Sequence, residues 1–123
     1  MQQSLKTNAF VLRKKNLPSQ DIFLSLFTEE SGKMSLIAKG IKKITSKRQP
    51  HIQTGNLIEI IAQKRHDRYY LQDTKLVSAF SKIKSDETKM KHLYLALFLI
   101  DRMLPENQQD LQLYANLQEY LIA

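Results

Sequence analysis

The hydrophobic pattern changes its period near Phe80, and this change limits the architectures that the chain can adopt. Before that point, apolar and polar residues alternate in short runs, which is the spacing of half-buried strands. After it, apolar residues recur every three or four positions, as they do in amphipathic helices. The sequence therefore predicts a mainly β domain over residues 1–80 and the start of a helical domain over residues 81–123.

The first part contains five runs with the composition of strands. In the second run, Ile22, Leu24 and Leu26 share one face, and Phe23 and Phe27 lie on the other. A polar turn that contains Gly32 separates the second run from the third. The predicted strands cover residues 7–14, 21–28, 33–39, 56–64 and 69–80, with a break near Asp73 in the last.

Residues 40–55 contain two glycines and one proline without a sustained period, so they predict one long loop. Five short strands with one long polar loop favour a five-stranded OB-fold barrel, the commonest small barrel that binds oligonucleotides. An SH3-like barrel is the structural alternative, because periodicity does not distinguish the two folds.

Two helices follow the predicted barrel. Ser85 is the expected N-cap of the first helix, and Pro105 is expected to end it. The second helix is expected over residues 108–122, and its apolar side carries Leu111, Tyr114, Leu117 and Leu121. The first helix is apolar on nearly two faces. One short partner helix would not cover both, so we expect another part of the protein or another chain to bury the rest. The candidates are the barrel, further helices or another chain, and the helical domain is expected to be incomplete.

The net positive charge of the chain lies in its first two thirds. Residues 1–85 hold 16 Lys and Arg against 6 Asp and Glu, a formal charge of +10. Residues 86–123 hold 3 against 6, a formal charge of −3, which completes the overall +7. A basic module of this kind attracts polyanions such as nucleic acid, or an anionic membrane surface. A basic surface that only keeps the protein in solution is the simpler alternative.

Several classes of function are disfavoured. The chain has no cysteine, which excludes disulfides, thiolate metal sites and cysteine nucleophiles and fits a cytoplasmic protein. The longest apolar stretch, residues 93–100, is much shorter than the roughly 20 residues of a membrane span. His51, His66 and His92 lack the spacing of metal ligands. We find no nucleophile and base set, so we expect that the protein is not an enzyme. We also expect no cofactor and no membrane partner.

Three runs of residues carry a resemblance to a known family. The run FTEESGK at residues 27–33 is followed by LIAKGIKK at residues 36–43, and FVLRK at residues 10–14 precedes both. In this order and spacing, the sequence resembles the N-terminal domain of the RecO family over roughly residues 7–80. Family members are longer than this chain, and many have a cysteine zinc site in their later part.

The resemblance implies a recombination mediator in DNA repair with an OB-fold that binds single-stranded and double-stranded DNA. It also implies strand annealing and loading of recombinase onto DNA that is coated by single-strand binding protein. The implied partners are RecR and the C-terminal tail of single-strand binding protein.

Candidate DNA-binding residues are cations that could track phosphates. The resemblance points most directly to Lys39, Lys42 and Lys43, and charge density adds Lys47 and Arg48 in the same loop. The end of the first strand adds Arg13, Lys14 and Lys15. For base stacking, Tyr69 and Tyr70 lie on opposite faces, so one at most faces outward, and packing is the expected role of Phe23 and Phe27.

Two other functions remain open at this point. The barrel could dock a protein partner such as RecR or an acidic peptide, which the excess of apolar surface on the first helix favours. It could also bind structured RNA, as other OB domains do, and the sequence does not separate RNA from DNA.

Overall fold

The computed structural model describes residues 3–39 and 49–122, and it confirms a five-stranded barrel followed by helices. The first strand begins four residues earlier than predicted, because its start pairs along β4 from Gln3↔Lys64 onwards. The strands are β1 Gln3–Asn16, β2 Ile22–Thr28, β3 Gly32–Ala38, β4 Leu57–Arg65 and β5 Arg68–Ser78. The helices are α1 Ser81–Ser85, α2 Glu87–Met103 and α3 Leu111–Ile122.

The strands close into a barrel in the order β1-β2-β3-β5-β4. All neighbours are antiparallel except β3 and β5, which run parallel through Leu36↔Tyr69 and Ile37↔Tyr70. The long β1 closes the barrel, because its first half pairs with β4 and its second half pairs with β2. This order, with the parallel contact between β3 and β5, is that of an OB-fold.

The barrel interior follows the predicted alternation. Alternate residues of β2 and β3, such as Leu24 and Leu36, point inward and are buried. The prediction of one continuous loop over residues 40–55 is partly wrong, since Gln49–Ile52 forms a 3₁₀ helix. Ile52 on this helix is fully buried and packs into the barrel core. The break expected near Asp73 is a register shift, because Ile61 pairs with Asp73 and the next residue, Ala62, pairs with Leu71.

The helix boundaries correct two predictions. Asp86 is the N-cap of α2, and not Ser85, because its side chain accepts a hydrogen bond from the backbone N–H of Lys89 at 3.1 Å. The second helix begins at Leu111 instead of residue 108, after Asp110 accepts from the N–H of Leu113 at 3.0 Å. Both acidic side chains lie at the positive ends of helix dipoles.

A second apolar cluster joins the helices to the outside of the barrel. Tyr114 of α3 packs between Phe10 of β1 and Phe27 of β2, with ring centroids 5.1 and 5.6 Å away. The buried residues of α2 and α3 in this cluster are Leu93, Leu97, Tyr114, Leu117 and Leu121. Leu111 was expected on this side, but it is 54% exposed because it lies at the start of α3.

The connection between α2 and α3 lies against the β2–β3 turn. The backbone N–H of Asn107 donates to the carbonyl of Lys33 at 2.8 Å. Gly32 has a φ of +68°, and a Cβ at this position would stand 1.9 Å from the carbonyl oxygen of Gln108. Only glycine therefore permits both the turn and the close approach of the connection. These contacts fix the end of α2 over the outer face of β2 and β3.

Candidate nucleic-acid interface

The outer face of the β1–β2–β3 sheet consists of three cross-strand rows. They alternate with the residues that point into the barrel, and they follow directly from the strand register. In OB-folds this face, together with the loops after the first and fourth strands, binds oligonucleotides. From the rim of the barrel downward, the rows are the platform row (Lys15, Phe23, Ile37, Tyr70), the polar row (Arg13, Ser25, Ser35) and the covered row (Phe10, Phe27, Lys33).

The platform row combines aromatic rings with cations. Phe23 and Tyr70 are half-buried, on either side of Ile37. The Lys39 ammonium lies 5.5 Å from the centroid of the Tyr70 ring, and the Arg13 guanidinium lies 5.3 Å from that of Phe23. Aromatic faces that stack on bases, with cations beside them for phosphates, are what binding of single strands requires.

The cations predicted at the end of β1 do not share one face. Arg13 and Lys15 pair with Ser25 and Phe23 on the outer face, whereas Lys14 pairs with Leu24, which points into the barrel. A register shift at Leu12 sets this alternation. Lys15 therefore belongs to the platform row, and Lys14 lies at the rim on the opposite side of the strand.

Lys39 is the one predicted loop cation whose place the structure gives. It is exposed directly after β3 and lies over Tyr70 at the rim. The loop cations Lys42, Lys43, Lys47 and Arg48 lie outside the described residues.

Asp101 at the end of α2 holds three side chains of the lower rows. Its carboxylate accepts from Arg13 Nε at 3.1 Å and from Ser25 Oγ at 2.5 Å. The Lys33 ammonium lies 3.8 Å from the same carboxylate and donates to the Asp101 carbonyl. Asp101 is only 13% exposed, so water screens these pairs weakly. The helical segment thus neutralises two cations of the sheet face.

We expect Asp101→Asn to raise affinity for single-stranded DNA about two- to fivefold. The change removes the negative charge beside Arg13 and Lys33, and a half-exposed ion pair contributes roughly 0.5–1 kcal/mol. The amide can still accept from Ser25, so α2 should stay docked. Fluorescence anisotropy with a labelled oligonucleotide measures the affinity.

Glu119→Gln is the matched control, because it makes the same charge change at an exposed position of α3. It should raise the affinity less than Asp101→Asn does. Equal effects would assign the gain to net charge and contradict a local role for Asp101.

Sequence reasoning missed the grouping of the platform row. It expected packing roles for Phe23 and Phe27, and the structure separates them, because Phe27 lies under Tyr114 and Phe23 stays half-exposed. Of the two tyrosines, Tyr69 packs against the barrel core and Tyr70 lies on the outer face. Alternation within each strand gave these faces, but the register that aligns Phe23 with Tyr70 has no signal in the sequence.

The described residues offer neither a metal site nor a membrane-spanning helix. Within residues 3–39 and 49–122, no group of three or more His, Asp and Glu side chains is placed to hold a metal ion. None of the helices in this described part has the length and apolar character that a bilayer crossing requires.

Comparison with known proteins identifies the family. The family model "Recombination protein O N terminal" matches residues 1–80. The chain belongs to the RecO family. A DNA repair protein RecO from Streptococcus pneumoniae is 34% identical over 122 residues, which is 98% of this chain and 47% of the relative. The RecO protein of Streptococcus gordonii is 32% identical over 122 residues, which is 98% of this chain and 46% of the relative.

A relative with lower identity is also matched over less than half of its length. The RecO protein of Caldanaerobacter subterraneus is 29% identical over 113 residues, which is 89% of this chain and 44% of the relative. The chain therefore spans about half the length of the RecO relatives that it matches. The three relatives are named as DNA repair proteins.

Proposed function

We propose that this chain binds single-stranded DNA along the platform row and the cations of the rim. The observation that carries the proposal is the alignment of Lys15, Phe23, Ile37 and Tyr70 across the binding face of an OB-fold. The row spans three strand spacings, or roughly 14 Å, which is room for two or three stacked bases. Its contacts are to ring faces and phosphates, so the binding tolerates most sequences.

Membership of the RecO family supports a wider role. In this proposal the chain is a non-catalytic recombination mediator in the cytoplasm, which also binds double-stranded DNA, anneals strands and helps to load recombinase. Its partners in this role are RecR and the C-terminal tail of single-strand binding protein. Residues 1–80 form the DNA-binding domain, and residues 81–123 begin the helical domain.

Replacing Lys39 by Ala should weaken binding to single-stranded DNA about threefold to fivefold. The change removes one phosphate contact at the rim, so the slope of log K against log salt should become less steep by about 0.7. The loss should be the same for oligo(dT) and for mixed sequences, because a phosphate contact carries no sequence information. Anisotropy titrations at several salt concentrations give both quantities.

Lys89→Ala is the control, since it removes the same charge from an exposed position in the first turn of α2. It should change the affinity by less than a factor of about two. If Lys39→Ala has no larger effect than Lys89→Ala, the rim does not contact the phosphates.

A protein-interaction role is the second candidate, and the exposed apolar side chains of α2 favour it. Leu95, Phe98 and Met103 are 56%, 52% and 74% exposed on this helix. Capture of purified RecR after nuclease treatment would support this role, whereas capture that disappears with nuclease would show that DNA bridges the two proteins. Competition between single-stranded DNA and structured RNA of equal length tests the third possibility, an RNA-binding barrel.

A further inference from the structure

A cleft of about 420 Å³ lies between the polar row and the end of α2. This volume is within the range of small-molecule binding sites. The barrel forms the floor, and α2 with its following residues forms the wall. The lining residues that matter below are Arg13, Phe23, Ser35, Phe98, Arg102 and Glu106.

Two guanidinium groups lie over aromatic rings at this cleft. Arg13 is 5.3 Å from the centroid of Phe23, and Arg102 is 5.0 Å from that of Phe98. Guanidinium planes and phenyl rings are the two kinds of surface on which unstacked bases are held. Within residues 3–39 and 49–122, Arg102 has no carboxylate partner, so its charge is available for a phosphate.

Glu106 adds a hydrogen-bond acceptor to the same cleft. Ser35 Oγ donates to Glu106 Oε1 at 2.6 Å, which holds the carboxylate at the wall of the cleft. Oε2 accepts no hydrogen bond from the described part of the chain. A carboxylate accepts from the amino group of cytosine, but it meets only a carbonyl oxygen at the equivalent position of thymine.

We propose that this cleft is a subsite for one unstacked, amino-bearing base of a bound single strand. This subsite rests on the proposed function, the binding of single-stranded DNA. The base lies against the Arg13–Phe23 pair with its amino edge on Glu106, and its phosphate lies on Arg102. The subsite adds a preference for cytosine over thymine to a binding face that otherwise tolerates all sequences.

The cleft is continuous with the platform row. Phe23 belongs to the platform row and also lines the cleft. A second cavity of about 190 Å³ shares Phe23, Ser35 and Glu106 with the cleft and extends to Asp67 and Arg68 at the β4–β5 turn. A strand that stacks on the platform row can therefore turn one base inward beside Phe23 without leaving the groove.

The test compares oligo(dC) with oligo(dT) of equal length, at fixed salt and mildly alkaline pH. The two bases have similar ring areas, so stacking differs little and the amino group is the main variable. The wild-type chain should bind oligo(dC) about fivefold more tightly. Glu106→Gln should reduce this ratio below about twofold while the affinity for oligo(dT) is unchanged or higher. Arg102→Ala should weaken both complexes equally and keep the ratio.

Glu30→Gln is the charge-matched control, because Glu30 is exposed on the β2–β3 turn and does not line the cleft. It should leave the fivefold ratio intact, and thermal melting should show that every variant stays folded. Equal binding of the two oligonucleotides by the wild-type chain would overturn the subsite and leave the proposed function standing. A ratio that survives Glu106→Gln would also overturn it. Failure to bind either oligonucleotide would overturn both the subsite and the proposed function.

Discussion

Raising the salt concentration from 50 to 200 mM should weaken binding of single-stranded DNA about a hundredfold. Each phosphate that a cation neutralises on a single strand contributes a slope of about −0.7 to log K against log salt. About five contacts give a slope near −3.5, so a fourfold rise in salt lowers the affinity by about two orders of magnitude. The contacts that we expect are Lys15, Lys39 and Arg68 at the rim, with Lys42 and Lys43 of the loop that the sequence predicts.

The measurement is a series of anisotropy titrations with labelled oligo(dT) across this range of salt. An oligonucleotide with an uncharged methylphosphonate backbone is the matched control, since it keeps the bases and removes the phosphate charge. Its weaker binding should depend little on salt. A slope near zero for the natural oligonucleotide would contradict phosphate contacts and favour the protein-interaction role.

The barrel could be predicted from the sequence because its signal is local. Alternation within residues 22–28 and 32–38 fixes which side chains face the core, and Gly32 marks the turn between them. The first four residues of β1, residues 3–6, carry no such pattern, because three of the four are polar. Pairing with β4 through Gln3↔Lys64 and its neighbours makes them a strand, and this pairing depends on residues about 60 positions away.

The candidate site was only partly predictable for the same reason. Charge density selected Arg13, and the family resemblance selected Lys39. Neither gave any indication that Asp101, 88 residues after Arg13, neutralises Arg13. The row that aligns Phe23 with Tyr70 depends on two strand pairings, and neither has a motif. Individual residues therefore supply the chemistry of the site, while strand register and helix docking decide which of them act together.

The apolar excess of α2 was predicted, and the structure shows how much of it the barrel covers. Leu93 and Leu97 are buried against the outside of the barrel, whereas Phe98 and Leu99 on the neighbouring face are about half-exposed. The barrel thus accounts for one of the two apolar faces. Docking also places Asp101 over the polar row, so the packing of the helices and the electrostatics of the binding face are coupled.

Tyr114→Ala should lower the free energy of unfolding by about 3–5 kcal/mol, because Tyr114 is the side chain that most directly joins the helices to the barrel. Its ring is 2% exposed and contacts both Phe10 and Phe27, so its removal leaves a cavity between α3 and the sheet. Chemical denaturation followed by circular dichroism measures the loss. If α3 then detaches, Asp101 should hold Arg13 less firmly, and the salt dependence of DNA binding should steepen.

Tyr114→Phe keeps the ring and removes the hydroxyl, so it measures the contribution of the hydroxyl alone. The hydroxyl is buried without a hydrogen-bond partner in the part of the chain that the structure describes, so its removal should be neutral or stabilise by about 1 kcal/mol. Burial, with a smaller effect from Glu29, raises the pKa of Tyr114 above its ordinary value of 10.0. Because the folded state favours the neutral phenol, stability should fall as the pH rises above 10.0, and Tyr114→Phe should reduce this alkaline loss. A loss as large for Tyr114→Phe as for Tyr114→Ala would show that the hydroxyl, and not the packing of the ring, holds the helices in place.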